Sequence, residues 1–263
     1  MLRHCGTVVF TFTALLLSGN ISSASMAEIP AGEFRPLYLA EDSPLVAIEA
    51  FSLDRLPVTN RDYLKFVSAH PKWEKGKVPT VFADSRYLQH WKKNAASDSW
   101  EPEEAMLDFP VVNVSWFAAN SYCRAFSKKL PSIAQWEYVA RASEFSPEGF
   151  REPGYQQRIL NWYAHHGRPE NNPVGHSPAN YWGIYDLHGM VWEWTVDFNS
   201  ALVSGESRAD SSIDKKLYCA AGSVNAADPS DYAAFMRYAF RSSLSARYAM
   251  SNLGFRCAIS RGN

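Results

Sequence analysis

Two stretches hold most of the residues able to do chemistry. The first, Gly183 to Asp197, reads GIYDLHGMVWEWTVD and sets Glu193 between Trp192 and Trp194, with Asp186 seven residues earlier. Neither helix nor strand periodicity accounts for that order, because a glycine and carboxylates interrupt the apolar run. A carboxylate among indoles needs compensation, since burying an unpartnered charge costs at least several kcal/mol. The second stretch, Ser223 to Arg241, interleaves Ser223, Asn225, Asp228, Asp231, Arg237 and Arg241 with Tyr232, Phe235 and Tyr238. Its arginines can hold a ligand carboxylate or phosphate bidentately, or pair with Asp228 and Asp231 as structure.

Histidine and cysteine offer two further chemistries. His165, His166, His176 and His188 are enough imidazoles for an iron or copper site, although the adjacent pair is expected to point apart. The chain has four cysteines, and Cys5 falls in a segment that reads as a leader. Cys123, Cys219 and Cys257 then remain, an odd number for which one disulfide and one free thiol is the simplest arithmetic in an oxidising compartment. Cys219, between Tyr218 and Ala220, reads as a small buried hydrophobe or a single thiol ligand. No C-x-x-C spacing occurs, so zinc ribbons and thioredoxin-like exchange have no support.

The leader is MLRHCGTVVFTFTALLLSGNISSASMA: Arg3 near the start, an apolar run from Val8 to Leu17, and small residues at Ser25 and Ala27. This is the three-part pattern of a secretory signal peptide spanning 1–27, with cleavage near Ala27, and the run is short for a membrane span. The expected location is periplasmic or secreted, with no membrane association after cleavage and residues 28–263 forming one domain. A formal net charge of -1 gives no electrostatic reason to expect nucleic acid or an anionic membrane.

The elements that must position these residues are few. Thr59 and Asp62 predict a capping box for a helix burying Tyr63, Phe66 and Val67. Ser115 predicts a second, with Trp116, Ala119, Cys123 and Phe126 on one face. Pro131, Ser132 and Gln135 open a third, which turns Ile133, Trp136 and Val139 or Ala140 inward. Beyond Arg141 the glycines, prolines and asparagines predict short strands and packed loops, and polar Ser204 to Lys216 a mobile surface loop.

Several segments, in order and spacing, resemble the sulfatase-modifying-factor family, whose founding activity is formylglycine generation. They are PVVNVSWFAANSYCRAFSKKLPSIAQWEYVARAS, GIYDLHGMVWEWTVDF, AGS at 221–223, RYAFRSS and SNLGFRCA, and the similarity runs from about Ile29 to Ser260. The resemblance implies an α+β, C-type-lectin-like single domain with little regular secondary structure. It also implies a structural calcium held by the Asp186 and Glu193 side chains and the Gly189 and Val191 backbone oxygens, calcium preferring about six to eight oxygens. The alternative left open is a metal-free Glu193 that accepts hydrogen bonds from amides or an arginine. A second family calcium site would start at Asn161, but the segment after it lacks a matching aspartate. By the same resemblance Cys123 and Cys257 are a bridged pair, while Ala140 and Tyr238 stand where the family's other bridge would be.

The founding chemistry does not carry over. The family's enzymes bind copper(I) through two cysteines, a soft ligand pair for a soft ion, and use oxygen to oxidise a substrate cysteine. Here Ala226 stands at the first of those positions, the second falls near Ala233, and no cysteine lies between 220 and 256. The resemblance is then to the cysteine-less, exported branch, similar to pyoverdine-maturation proteins and to proteins found alongside copper nitrite reductases. It implies an oxidative maturation step on a small-molecule or peptide substrate such as a siderophore precursor, its redox metal unspecified, or an accessory role for a periplasmic partner. Ser223, Asn225, Arg237 and Arg241 are the expected pocket residues in either case.

Overall fold

The structure, a computed structural model, describes residues 25–36, 45–165, 172–200 and 232–260. Its organising sheet has three antiparallel strands in the order β1 (Met26–Ile29), β4 (Phe51–Asp54) and β9 (Ala258–Ser260), so the two ends of the domain meet at one central strand. All four residues of β4 are buried, as a strand flanked on both edges requires. Ala27, the residue expected at the leader's processing site, is buried in β1 opposite Leu53, so cleavage after it would take Met26 and Ala27 from the sheet.

The remaining strands are short ribbons: β2 (Gly32–Phe34) with β3 (Val46–Ile48), β5 (Lys92–Lys93) with β6 (Trp100–Glu101), and β7 (Trp192–Glu193) with β8 (Leu253–Gly254). One core lies between the main sheet and helix α3 (Ile133–Ala140), joining Ile29, Phe51 and Leu53 to Trp136 and Val139. A larger one gathers aromatic rings, with Tyr63, Trp91, Trp194 and Phe255 at most 1% exposed. Aromatic side chains, several of them carried on the helices, supply much of this burial.

Three helices form where their caps predict. Thr59 caps α1 (Asn60–Ala69) by accepting from the Asp62 amide, but Asp62 takes the Thr59 hydroxyl and so departs from a reciprocal box. Ser115 caps α2 (Trp116–Ala125), and Ser132 with Gln135 forms a complete capping box on α3. Phe126, expected on the inward face, is 50% exposed because α2 ends one residue earlier. Among the described residues, the second half holds two α-helices where loops were expected: α4 (Tyr155–His165) and α5 (Tyr232–Ser242).

Cys123 on α2 and Cys257 before β9 form a disulfide with Cα atoms 5.6 Å apart, the pairing the resemblance implied. Closing 134 residues constrains the unfolded chain, so the double Cys123→Ala, Cys257→Ala variant is expected to lose about 2–5 kcal/mol in denaturant titrations. A loss near zero would mean that the bridge does not form in solution. Cys219 and the Ser204 to Lys216 loop lie outside the described residues.

Candidate functional site

The pairing of β7 with β8 explains the carboxylate between the indoles. Trp192–Glu193 runs parallel to Leu253–Gly254, and a side chain at Gly254 would come within 2.7 Å of the Val111 carbonyl, so this close approach requires glycine. Two residues on, Arg256 is fully buried and grips Glu193. Its Nε donates to Glu193 Oε1 and Oε2 at 3.0 and 2.9 Å, and its Nη2 donates to Oε1 at 2.8 Å. Trp136 Nε1 donates to Oε2 at 2.8 Å. The remaining guanidinium hydrogens reach the carbonyls of Asp54, Arg55 and Tyr185. The carboxylate is the anchor of an arginine that ties the central strand to the loop.

Asp186 is occupied in its own way. With φ at 54° it sits in the left-handed region, and its carboxylate accepts the amide of Gly175, the Ser177 amide at 2.9 Å and the Ser177 hydroxyl at 2.7 Å. Each oxygen of Asp186 and Glu193 therefore already faces N–H or O–H hydrogens, whose positive ends oppose a cation. A calcium ion on these two carboxylates and the Gly189 and Val191 backbone oxygens would have to share oxygens that already accept these hydrogens. Asn161 lies on an exposed face of α4 and accepts from Gln157. A chelator is accordingly expected to leave the melting temperature unchanged; a fall of several degrees, restored by added calcium, would reinstate the ion.

A second buried ion cluster joins α3 to α5. Glu137 accepts from Arg237 Nε at 3.0 and 3.1 Å, from Arg237 Nη2 at 2.6 Å and from Arg241 Nη1 at 2.6 Å. Burial alone would raise the Glu137 carboxyl, yet the two guanidinium charges carry it below the ordinary carboxylate range. Both arginines stack near the Trp136 ring, at 5.5 and 4.6 Å from its centroid, so Trp136 bridges the two ion clusters. This corrects the expected pocket in one respect. Arg237 and Arg241 come together as anticipated, but they are 2% and 3% exposed and their partner is Glu137 rather than Asp228 or Asp231. Ser223 and Asn225, the other two pocket residues, lie outside the described residues, as do Asp228 and Asp231.

Glu137 itself escaped sequence reasoning, because in IAQWEYVA it reads as the polar face of a helix. Its i+4 spacing to Arg141 points outward to a local pair, whereas its true partners are 100 and 104 residues away.

From Arg237 a chain of hydrogen bonds reaches the histidine of the loop. Arg237 Nη1 donates to the Tyr163 hydroxyl at 3.0 Å, and that hydroxyl lies 3.3 Å from His188 Nδ1. His188 Nε2 is 2.9 Å from the Ala140 carbonyl, which fixes the tautomer with the proton on Nε2 and leaves Nδ1 to accept from Tyr163. Burial, then the nearby Arg237 charge, pushes His188 down to about 3, so the ring is neutral. Trp162 stacks on it at 6.0 Å. Two adjoining cavities of about 270 and 210 Å³ share Trp162, Ser177, Pro178, Asp186 and His188, forming an aromatic-floored groove. His176 faces the smaller of them, while His166 and the His165 side chain lie outside the described residues, so of the four candidate imidazoles only two are placed on one wall.

A large aromatic core, short ribbons and long connections define a C-type-lectin-like domain of the formylglycine-generating-enzyme type. The family model for the sulfatase-modifying factor enzyme 1-like domain matches residues 16–261, and the chain belongs to that family. It is 29% identical to the inactive C-alpha-formylglycine-generating enzyme 2 of Bos taurus, covering 93% of this chain and 91% of the relative. It is 28% identical to the formylglycine-generating enzyme of Mycobacterium tuberculosis, covering 88% and 96%. Among solved structures, PvdO from Pseudomonas aeruginosa superposes with a TM-score of 0.51 at 21% identity, covering 89% of this chain and 94% of that one.

Proposed function

We propose that this protein does not generate formylglycine and that it is an exported member of the family which recognises a periplasmic substrate, such as a siderophore precursor of the pyoverdine type, for oxidative maturation. The observation that carries the first half is the use made of α5. Ala233, near the position of the second copper thiolate, is fully buried against Tyr155 and Ile159, and the same helix face spends Arg237 and Arg241 on Glu137. A face committed to packing and charge compensation is built to hold the fold. The aromatic-floored groove beside His188 and Trp162 supplies a recognition surface for a flat precursor group.

A second reading, a non-catalytic accessory to a partner such as a copper nitrite reductase, is favoured by the mammalian relative whose name calls it inactive. The test is turnover by the full purified chain. With copper supplied, a cysteine peptide is expected to yield no aldehyde, whereas a siderophore precursor is expected to be oxidised with oxygen consumed. Aldehyde formation would sink the first half of the proposal, and a precursor that binds without oxygen uptake would replace maturation by the accessory role.

A further inference from the structure

Trp136 carries five buried charged groups around it: Arg237, Arg241 and Glu137 on one side, Glu193 and Arg256 on the other. Among the described residues, three of these groups are cationic and two anionic, a balance of one positive charge in groups at most 3% exposed. The hydrogen bonds show which guanidinium is left over. Arg237 and Arg256 each donate from Nε, Nη1 and Nη2. Arg241 donates only Nη1, to Glu137, among the described residues, so its Nε hydrogen and the pair on Nη2 have no acceptor there.

Beside Arg241 lies a cavity of about 50 Å³, walled by Tyr163, Met190, Trp192 and Asn252 as well as Trp136. Glu193 also borders it, but its oxygens are occupied by Arg256 and Trp136. One water needs roughly 10–15 Å³ of such space, so the cavity accommodates three or four small heavy atoms. It suits a flat group carrying two oxygens, the partner that a guanidinium fork holds bidentately. The cavity is open on one side, so a small ligand can enter between Trp136, Tyr163 and Trp192 and meet the part of the Arg241 guanidinium that Glu137 does not hold.

We propose that Arg241 and this cavity form a binding site for a planar oxyanion, either a free small carboxylate or the carboxylate end of a larger ligand. The site does not depend on the maturation reading: it would serve an enzyme or an accessory protein alike, and it is read by binding alone.

The experiment titrates ¹³C-formate into the full chain at constant ionic strength, with chloride as the balancing ion. Saturable binding is expected, with nuclear Overhauser contacts to the Trp192 indole or the Met190 methyl. Sulfate, a five-atom tetrahedral ion, is expected to compete at least tenfold more weakly than nitrate. Arg241→Met should raise the formate Kd at least tenfold while its near-ultraviolet circular dichroism stays that of the wild type, because Arg237 still holds Glu137. Arg241→Lys should recover part of the affinity. A small peptide competing through its C-terminal carboxylate, but not as its C-terminal amide, would assign the site to the end of a larger ligand, and competition by formate and nitrate alone would assign it to a free ion. Absence of formate contacts in the wild type, or an unchanged Kd in folded Arg241→Met, would overturn the proposal. Should Arg241→Met fail to fold, the wild-type contacts decide alone.

Discussion

Glu137→Gln is expected to cost about 3–5 kcal/mol of folding stability at neutral pH, the scale for breaking a buried ion pair by removing one partner. The reason is the asymmetry of the cluster: one carboxylate holds two guanidinium groups, all three at most 3% exposed, so its loss leaves two cations without their anion and with little access to water. Arg241→Met removes one charge-assisted bond and leaves Arg237 in place, a milder loss of about 1.5–3 kcal/mol. The pH dependence has a definite sign. Glu137 titrates below its ordinary value in the fold, so its contribution is full above the unfolded carboxyl value of about 4.3 and disappears as pH falls through the folded one. Urea titrations should therefore show a constant gap between wild type and Glu137→Gln from pH 8 to 5, narrowing at more acidic pH. A gap below about 1 kcal/mol at pH 7 would mean that the arginines find other acceptors.

That cluster also shows where sequence reasoning stops. The helices α1, α2 and α3 were legible because their signals are local: a hydroxyl at the cap, and apolar residues at helical spacing behind it. Helix α5 was not, because its buried face is Ala233, Ala234, Arg237, Tyr238 and Arg241. Two arginines on the inward side invert the hydropathy pattern, and only knowledge of a carboxylate 100 residues away restores its meaning. Helix α4 has a readable stripe at Tyr155, Ile159, Trp162 and Tyr163, but glycine and proline just before it made loops the expectation. The disulfide pairing came through the family resemblance, since spacing alone left every pairing of three cysteines open.

The stretch GIYDLHGMVWEWTVD sits at the same limit, and its largest consequence is the behaviour of Arg256. Arg256→Met is expected to destabilise the protein by at least about 3–5 kcal/mol, because it leaves Glu193 charged and buried and also strips donors from three carbonyls. Arg256→Lys should rescue little: an ammonium cannot reproduce a fork whose Nε and Nη2 both serve one carboxylate while Nη1 and Nη2 cap the ends of the central strand and the loop. Glu193→Gln strands the arginine in the same way and should cost a similar amount, with or without chelator. The double variant Glu193→Met, Arg256→Met removes both charges together, so its loss should fall well short of the sum of the single losses, by at least about 1 kcal/mol in a double-mutant cycle. Additive losses would show that the two residues stabilise the fold through separate contacts, and the carboxylate between the indoles would then need a different partner from the arginine it faces.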